Sequence, residues 1–176
     1  MRSLKWVIGA SAALAMAQSA QAQTPSASAT ASGAAVVLQP ITLVKNTDLA
    51  FGSLVRPSLG SNTVTIDATS GNRTLTGTGY ASLAGNQTPS RATYSVGGEG
   101  GAAFSVTVPS SFVMTRQGGS ETLPVALSAS AVAGALSGSI GSNGSANFSV
   151  GGSLPLSSTT VAGDYTGTFD VTVGYN

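Results

Sequence analysis

The side chains that could do chemistry are few. The 176-residue chain has six acids and seven bases, and it contains no histidine and no cysteine. Without imidazole or thiol there is no Ser-His-Asp or Cys-His constellation, no imidazole base and no ligand set of the usual zinc or copper kind. Carboxylate pairs are the remaining route. Asp164 and Asp170 stand six residues apart on one predicted strand, ~20 Å at normal strand rise, which is too far for a catalytic pair. Asp170 lies on the parity opposite Phe169 and Val171 and reads as a solvated strand charge. Asp164 follows Gly163 at a turn. The acids lack calcium-loop spacing. The cluster Gly97-Gly98-Glu99-Gly100-Gly101 lacks the lysine and helix of a phosphate loop and reads as a hairpin turn. Tyr80, Tyr94, Tyr165 and Tyr175 could form a carbohydrate platform, but strand-borne tyrosines are more often sheet-face residues. The reading is of a protein that is not an enzyme, with no cofactor and no metal.

The stretches that would position any site are strands. Tyr165, Gly167, Phe169, Val171, Val173 and Tyr175 share one parity, and Thr166, Thr168, Asp170 and Thr172 share the other. A period of two marks a strand with one dry and one wet face. It predicts a single C-terminal core strand carrying Tyr165, Phe169, Val171, Val173 and Tyr175. A second alternating stripe lies near the other end: Ala27, Ala29, Ala31, Gly33, Ala35 and Val37, with Ser26, Ser28, Thr30 and Ser32 between them. It is small-residued and precedes the body. A bland terminus patterned as a strand predicts a donor strand meant for another molecule.

Residues 1–22 read as a signal peptide. Arg2 and Lys5 give a positive start, Trp6 to Met16 is a short apolar run, and Ala20-Gln21-Ala22 is a small-residue cleavage site, with cleavage between Ala22 and Gln23. The apolar run falls short of the ~20 residues that span a bilayer. Removing this leader takes two of the seven bases and no acid, so the net charge moves from +1 to −1. No basic patch remains for nucleic acid and no polybasic run for anionic lipid. Charged residues make up only 7% of the chain, so its surface resists association weakly. A polymer subunit tolerates that.

Residues 23–37 form an N-terminal extension, and 38–176 one β-domain. Pro40 argues against a fully paired strand at that point. The body then repeats short alternating runs closed by glycine or proline: Leu49 and Phe51; Val64, Ile66 and Ala68; Ala92, Tyr94 and Val96; Phe104, Val106 and Val108; Phe112 and Met114. Leu123, Val125, Leu127 and Ala129 form a run interrupted by Pro124, which reads as an edge strand. Phe148 and Val150 precede Gly151-Gly152, and Leu154 and Leu156 flank Pro155. No helical period is sustained. The pattern predicts an all-β sandwich or barrel.

Three segments carry a family resemblance: Leu38-Gln39-Pro40-Ile41-Thr42-Leu43, Asp48-Leu49-Ala50-Phe51-Gly52, and the ending from Ala162 to Tyr175. With Ala103 to Pro109 between them, they resemble the domain-of-unknown-function family 4402, exported β proteins of Gram-negative bacteria. The ending also resembles the last strand of chaperone–usher pilins. That resemblance implies an immunoglobulin-like, pilin-like β-sandwich that is incomplete and is completed by a donor strand from the next subunit. It also implies a periplasmic chaperone and an outer-membrane usher as partners. The chain differs from the best-known pilins in lacking their disulfide cysteines.

The leading expectation is a structural subunit of a bacterial cell-surface filament, a pilus or fimbria. It would be exported through the periplasm, polymerise by donor-strand exchange with copies of itself, and serve adhesion or biofilm. The alternative is a monomeric secreted or surface β-domain that binds glycan or protein, with the extension as a linker.

Overall fold

The computed structural model describes residues 25–85 and 87–176. The leader and its cleavage point at Ala22 and Gln23 lie outside the described residues. The chain divides into two units, Met1–Ala35 and Val36–Asn176. In the first, the described residues from Pro25 onward carry no regular secondary structure and are exposed. Among the described residues, every regular element of the second is a strand.

These strands are β1 (Thr42–Thr47), β2 (Leu54–Val55), β3 (Ser61–Ile66), β4 (Arg73–Gly77), β5 (Ser82–Leu83), β6 (Ala92–Glu99) and β7 (Ala103–Thr107). After them come β8 (Ser111–Arg116), β9 (Thr122–Ala129), β10 (Ala133–Ala135), β11 (Asn143–Ser157), β12 (Tyr165–Thr166) and β13 (Thr172–Tyr175). All pairings are antiparallel. The large sheet runs β1-β6-β11-β9-β8-β12, with β3 and β4 joined to it through β11. A second sheet runs β10-β7-β13, and β2 pairs with β5.

The 15-residue β11 organises the large sheet. Asn143 to Val150 pair with β6, Gly152 to Ser157 with β3, and Val150 to Ser153 with β9 on the other side. The sequence reads Gly151-Gly152 as a break between two strands, but the strand passes straight through. A Cβ on Gly151 would collide with the Ile66 carbonyl oxygen and the Ala68 backbone. The glycines therefore mark the place where neighbouring strands crowd against β11, not its end.

Pro124 illustrates the same lesson. The run around it is not an edge strand, because β9 pairs with both β8 and β11. Yet β11 takes only Ala126 to Ala129. Pro124 sits in the half of β9 with one neighbour, where a missing N–H breaks no ladder. Pro155 sits likewise in the half of β11 paired with β3 alone.

Two apolar clusters form the core. In the first, Phe104 and Val106 of β7 pack with Ala92, Tyr94 and Val96 of β6 and with Phe148 and Val150 of β11, so the inner faces of the two sheets meet there. Tyr94 and Phe148, cross-strand partners, stack with ring centroids 5.1 Å apart. The second cluster joins Phe51, Val64, Ile66, Val125, Leu154 and Leu156. The opposite face of β1, β6 and β11 is polar: Asn46 donates to Ser95 Oγ, which donates to Asn147 Oδ1, both at 2.8 Å.

Three further expectations change. The predicted C-terminal strand is two short strands in different sheets, β12 beside β8 and β13 beside β7, with residues 167–171 unpaired between them. The inward parity of Phe169, Val171, Val173 and Tyr175 holds against the first core cluster, while Tyr165 lies apart at the cleft. Leu49 and Phe51 lie outside any strand, and Ala50 makes one isolated bridge to Ser90. The glycine cluster from Gly97 to Gly101 is not a hairpin, since β6 and β7 belong to different sheets. It is the corner where the chain crosses from one sheet to the other.

Candidate functional site

The candidate site is a seam between the two ends of the β-domain. On one side runs the segment from Ile41 to Leu54. Among the described residues its β1 pairs only with β6, and Ala50 extends that contact to Ser90. On the other side runs the C-terminal segment, where, among the described residues, β12 pairs only with β8 and β13 only with β7. β13 lies alongside β1. Among the described residues, no backbone hydrogen bond joins residues 41–56 to residues 160–176. Among the described residues, β1 and β13 therefore each keep one edge without a strand partner, and the two edges face each other across a gap that is in part narrower than the ~10 Å an intervening strand needs.

The floor of the gap is apolar. Ile41, Leu43 and Leu49 from one wall, and Phe169, Val171, Val173 and Tyr175 from the other, are half-buried and pack against the first core cluster. The donor residues Ala27, Ala29, Ala31, Gly33, Ala35 and Val37 are all exposed, and none of them is in a strand. Val36 and Val37, where the extension approaches β1, are 70% and 88% exposed.

At one end the gap widens into a cleft of about 610 Å³. Its walls are Leu49 to Leu54 and Thr160 to Thr166, and Met114, Leu123, Leu154 and Leu156 line it between them. The first wall is held by Arg73, whose Nη1 donates to the carbonyl oxygens of Phe51 at 2.8 Å and Ser53 at 3.4 Å. Gly52, at φ 72°, leaves room for that guanidinium. Arg56 Nη1 donates to the Thr160 carbonyl at 2.8 Å and ties the two walls together. Tyr165, expected in a core strand, is half-buried at the cleft, where its hydroxyl donates to the Val161 carbonyl at 2.8 Å.

At the other end the gap is closed by polar groups. The Tyr175 hydroxyl accepts from the Glu99 N–H at 2.7 Å and donates to the Gln39 carbonyl at 2.8 Å. The Glu99 side chain, with the residue only 2% exposed, accepts from the Gln39 N–H at 3.2 Å and from the Gly141 N–H. Since Tyr175 touches Gln39, β13 runs toward the end from which β1 departs, and the two edges are antiparallel. The pattern of residues shows Tyr175 only as one more apolar position. Glu99 carries one faint signal: it is a lone acid between two glycine pairs. Gly98 is required there, because a Cβ would overlap the Tyr175 hydroxyl.

The acids are dispersed. Among the described residues no group of three His, Cys, Asp or Glu side chains could hold a metal. Asp164 and Asp170 are exposed, and they do not share one strand. Asp67 shapes the β3–β4 turn, accepting from the Thr69 and Ser70 N–H groups and the Ser70 hydroxyl. These donors, the Ser70 N–H first among them, pull its pKa below the ordinary carboxylate value. Arg116 lies 2.7 Å from Glu121 and lowers that acid likewise.

The family model described as Domain of unknown function (DUF4402) matches residues 41–175. The match covers both walls of the gap. No curated protein and no solved structure matches the chain.

Proposed function

We propose that this chain, which belongs to the DUF4402 family, is the structural subunit of a bacterial cell-surface filament. In this reading the domain is an immunoglobulin-like, pilin-like sandwich with one strand missing. The segment Ala27 to Val37 of a neighbouring copy enters between β1 and β13, which part to admit it because they lie in part closer than two ladder spacings. The two free edges over a half-buried apolar strip carry the reading. Each edge offers unpaired N–H and C=O groups, which template strand addition. The alternating segment offers a backbone ladder on both sides and a small-residue face for a shallow floor. Each new backbone hydrogen bond contributes a net ~0.5–1.5 kcal/mol. Burying Val37 adds ~1.5–3 kcal/mol. Export through the periplasm with a chaperone and usher, and a role in adhesion or biofilm, belong to the same proposal.

The cleft favours a second reading, since its volume lies in the range of small-ligand sites. The protein would then be a monomeric surface or secreted domain binding glycan or protein, with the extension as a linker. Removing residues 23–33 separates the two. A filament subunit loses polymerisation, read by sedimentation and electron microscopy, and cells expressing it lose their surface filaments. A linker leaves assembly as it was.

A further inference from the structure

A subunit of this kind has a choice. Its extension can fold back into its own gap, or it can enter a neighbour's. We infer that Glu99 and Tyr175 are positioning residues that hold the root of the extension and commit it to a neighbouring copy. The inference rests on the strand-exchange reading and adds to it the control of which copy is entered.

Both backbone groups of Gln39 are occupied. Its N–H donates to Glu99 Oε2 at 3.2 Å, and its carbonyl accepts from the Tyr175 hydroxyl at 2.8 Å. Tyr175 is itself anchored by the Glu99 N–H, and Glu99 by the Gly141 N–H. The carboxylate is buried, so releasing its partners leaves acceptors without donors. Pro40 comes next, with a fixed φ and no N–H. The chain is therefore held at Gln39, one step before Ile41 turns into the core.

An extension returning to its own gap must reverse direction just before this point. The residues available are Val36, Val37 and Leu38. Two are β-branched and none is Gly, Asn, Asp or Pro, so they make a poor turn. A turn at Gly33, the nearest glycine, leaves three or more residues extended beyond the domain and few to return. Released at Gln39, the chain gains Gln39 and Pro40 for the reversal, and Pro suits the second position of a tight turn. The latch thus withholds the residues that a return needs.

The chain has no cysteine, so Thr30→Cys can carry a single photo-crosslinker on the parity that does not face the gap. Irradiating the full chain without its leader should join copies to one another, giving dimer-sized and larger adducts. In Tyr175→Phe, and separately in Glu99→Gln, at least threefold more of the label should attach within its own chain, with a matching rise in monomer. Hydrogen exchange should show the latch released in Tyr175→Phe and Glu99→Gln: the Gln39 amide should exchange at least tenfold faster, with the Val64 and Val150 amides unchanged. A released Gln39 with the parent's ratio of adducts overturns the inference, as does a parent that links chiefly within its own chain. A parent that neither polymerises nor attaches its label to residues 41–54 or 164–175 of any copy overturns the strand-exchange reading itself.

Discussion

Phe169 lies against Phe112 with ring centroids 5.0 Å apart and planes inclined by 46°. This contact pins the middle of the unpaired stretch between β12 and β13 to β8. Residues 167–171 have no ladder of their own, so side-chain packing must hold them. Phe112 also packs on the second core cluster and Phe169 on the first, so the pair links the two.

Replacing Phe169 by Ala should therefore cost about 2–3 kcal/mol, below the ~3–5 kcal/mol of a fully buried ring because this one is only half-covered. Urea unfolding of the two proteins measures it. A loss under ~0.5 kcal/mol, the range of ordinary surface changes, would mean that the ring does not hold the segment.

Gly151→Ala should be among the most damaging single changes in the sheet. The added methyl meets the Ile66 carbonyl and the backbone of Ala68. Neither is a flexible side chain that can step aside, so β3 must shift away from β11. Overpacking of this kind costs ~1–3 kcal/mol or more. Gly33→Ala is the control, since nothing lies within 4 Å of its Cβ position. Equal melting temperatures for the two variants would contradict the convergence of strands at Gly151.

Much of this architecture is legible in the residues, and the failures have physical causes. The runs at Val64, Tyr94, Phe104 and Phe112 alternate because each lies over a single core face, and all four became strands. Gly151-Gly152 and Pro124 misled because punctuation residues report a local backbone need, and that need was close approach in one case and a one-sided ladder in the other. The C-terminal alternation shows which side chains face inward, but says nothing of the break between two sheets. The walls of the gap are contained in the motifs around Ile41 and Val171. Their juxtaposition is a tertiary fact, and so is the Gln39–Glu99–Tyr175 contact, whose members lie up to 136 residues apart.

Acid should weaken the domain through Asp67 and Glu121. Both carboxylates titrate below their ordinary values of 3.8 and 4.5 in the folded chain, Asp67 through the Ser70 and Thr69 donors and Glu121 through Arg116. A depressed folded pKa stabilises above the unfolded pKa, and that contribution is lost as pH falls through the folded value. Asp67→Asn should therefore melt below the parent at neutral pH, with the difference closing as the pH falls below the ordinary value of 3.8 and through the depressed folded value. A gap that widens on acidification would reverse the sign of this linkage. Asp170→Asn, at an exposed position, should change stability by less than ~0.5 kcal/mol.

The parity of the extension gives the sharpest test of strand exchange. If Ala27, Ala29, Ala31, Gly33, Ala35 and Val37 face the floor of a neighbour's gap, the residues between them face water. Ala31→Arg then drives a cation onto the strip of half-buried apolar side chains that includes Leu43, Val171 and Val173. Burying an unpaired charge costs several kcal/mol. Thr30→Arg places the same cation on the wet side, where it costs little. A register slip of one residue would spare Ala31→Arg only by turning every serine and threonine of the stripe inward. Filament yield by sedimentation should thus fall at least tenfold for Ala31→Arg and less than twofold for Thr30→Arg, with both subunits melting like the parent. Equal yields would show that the extension enters no register-locked site, and the exchange mechanism would fail with it.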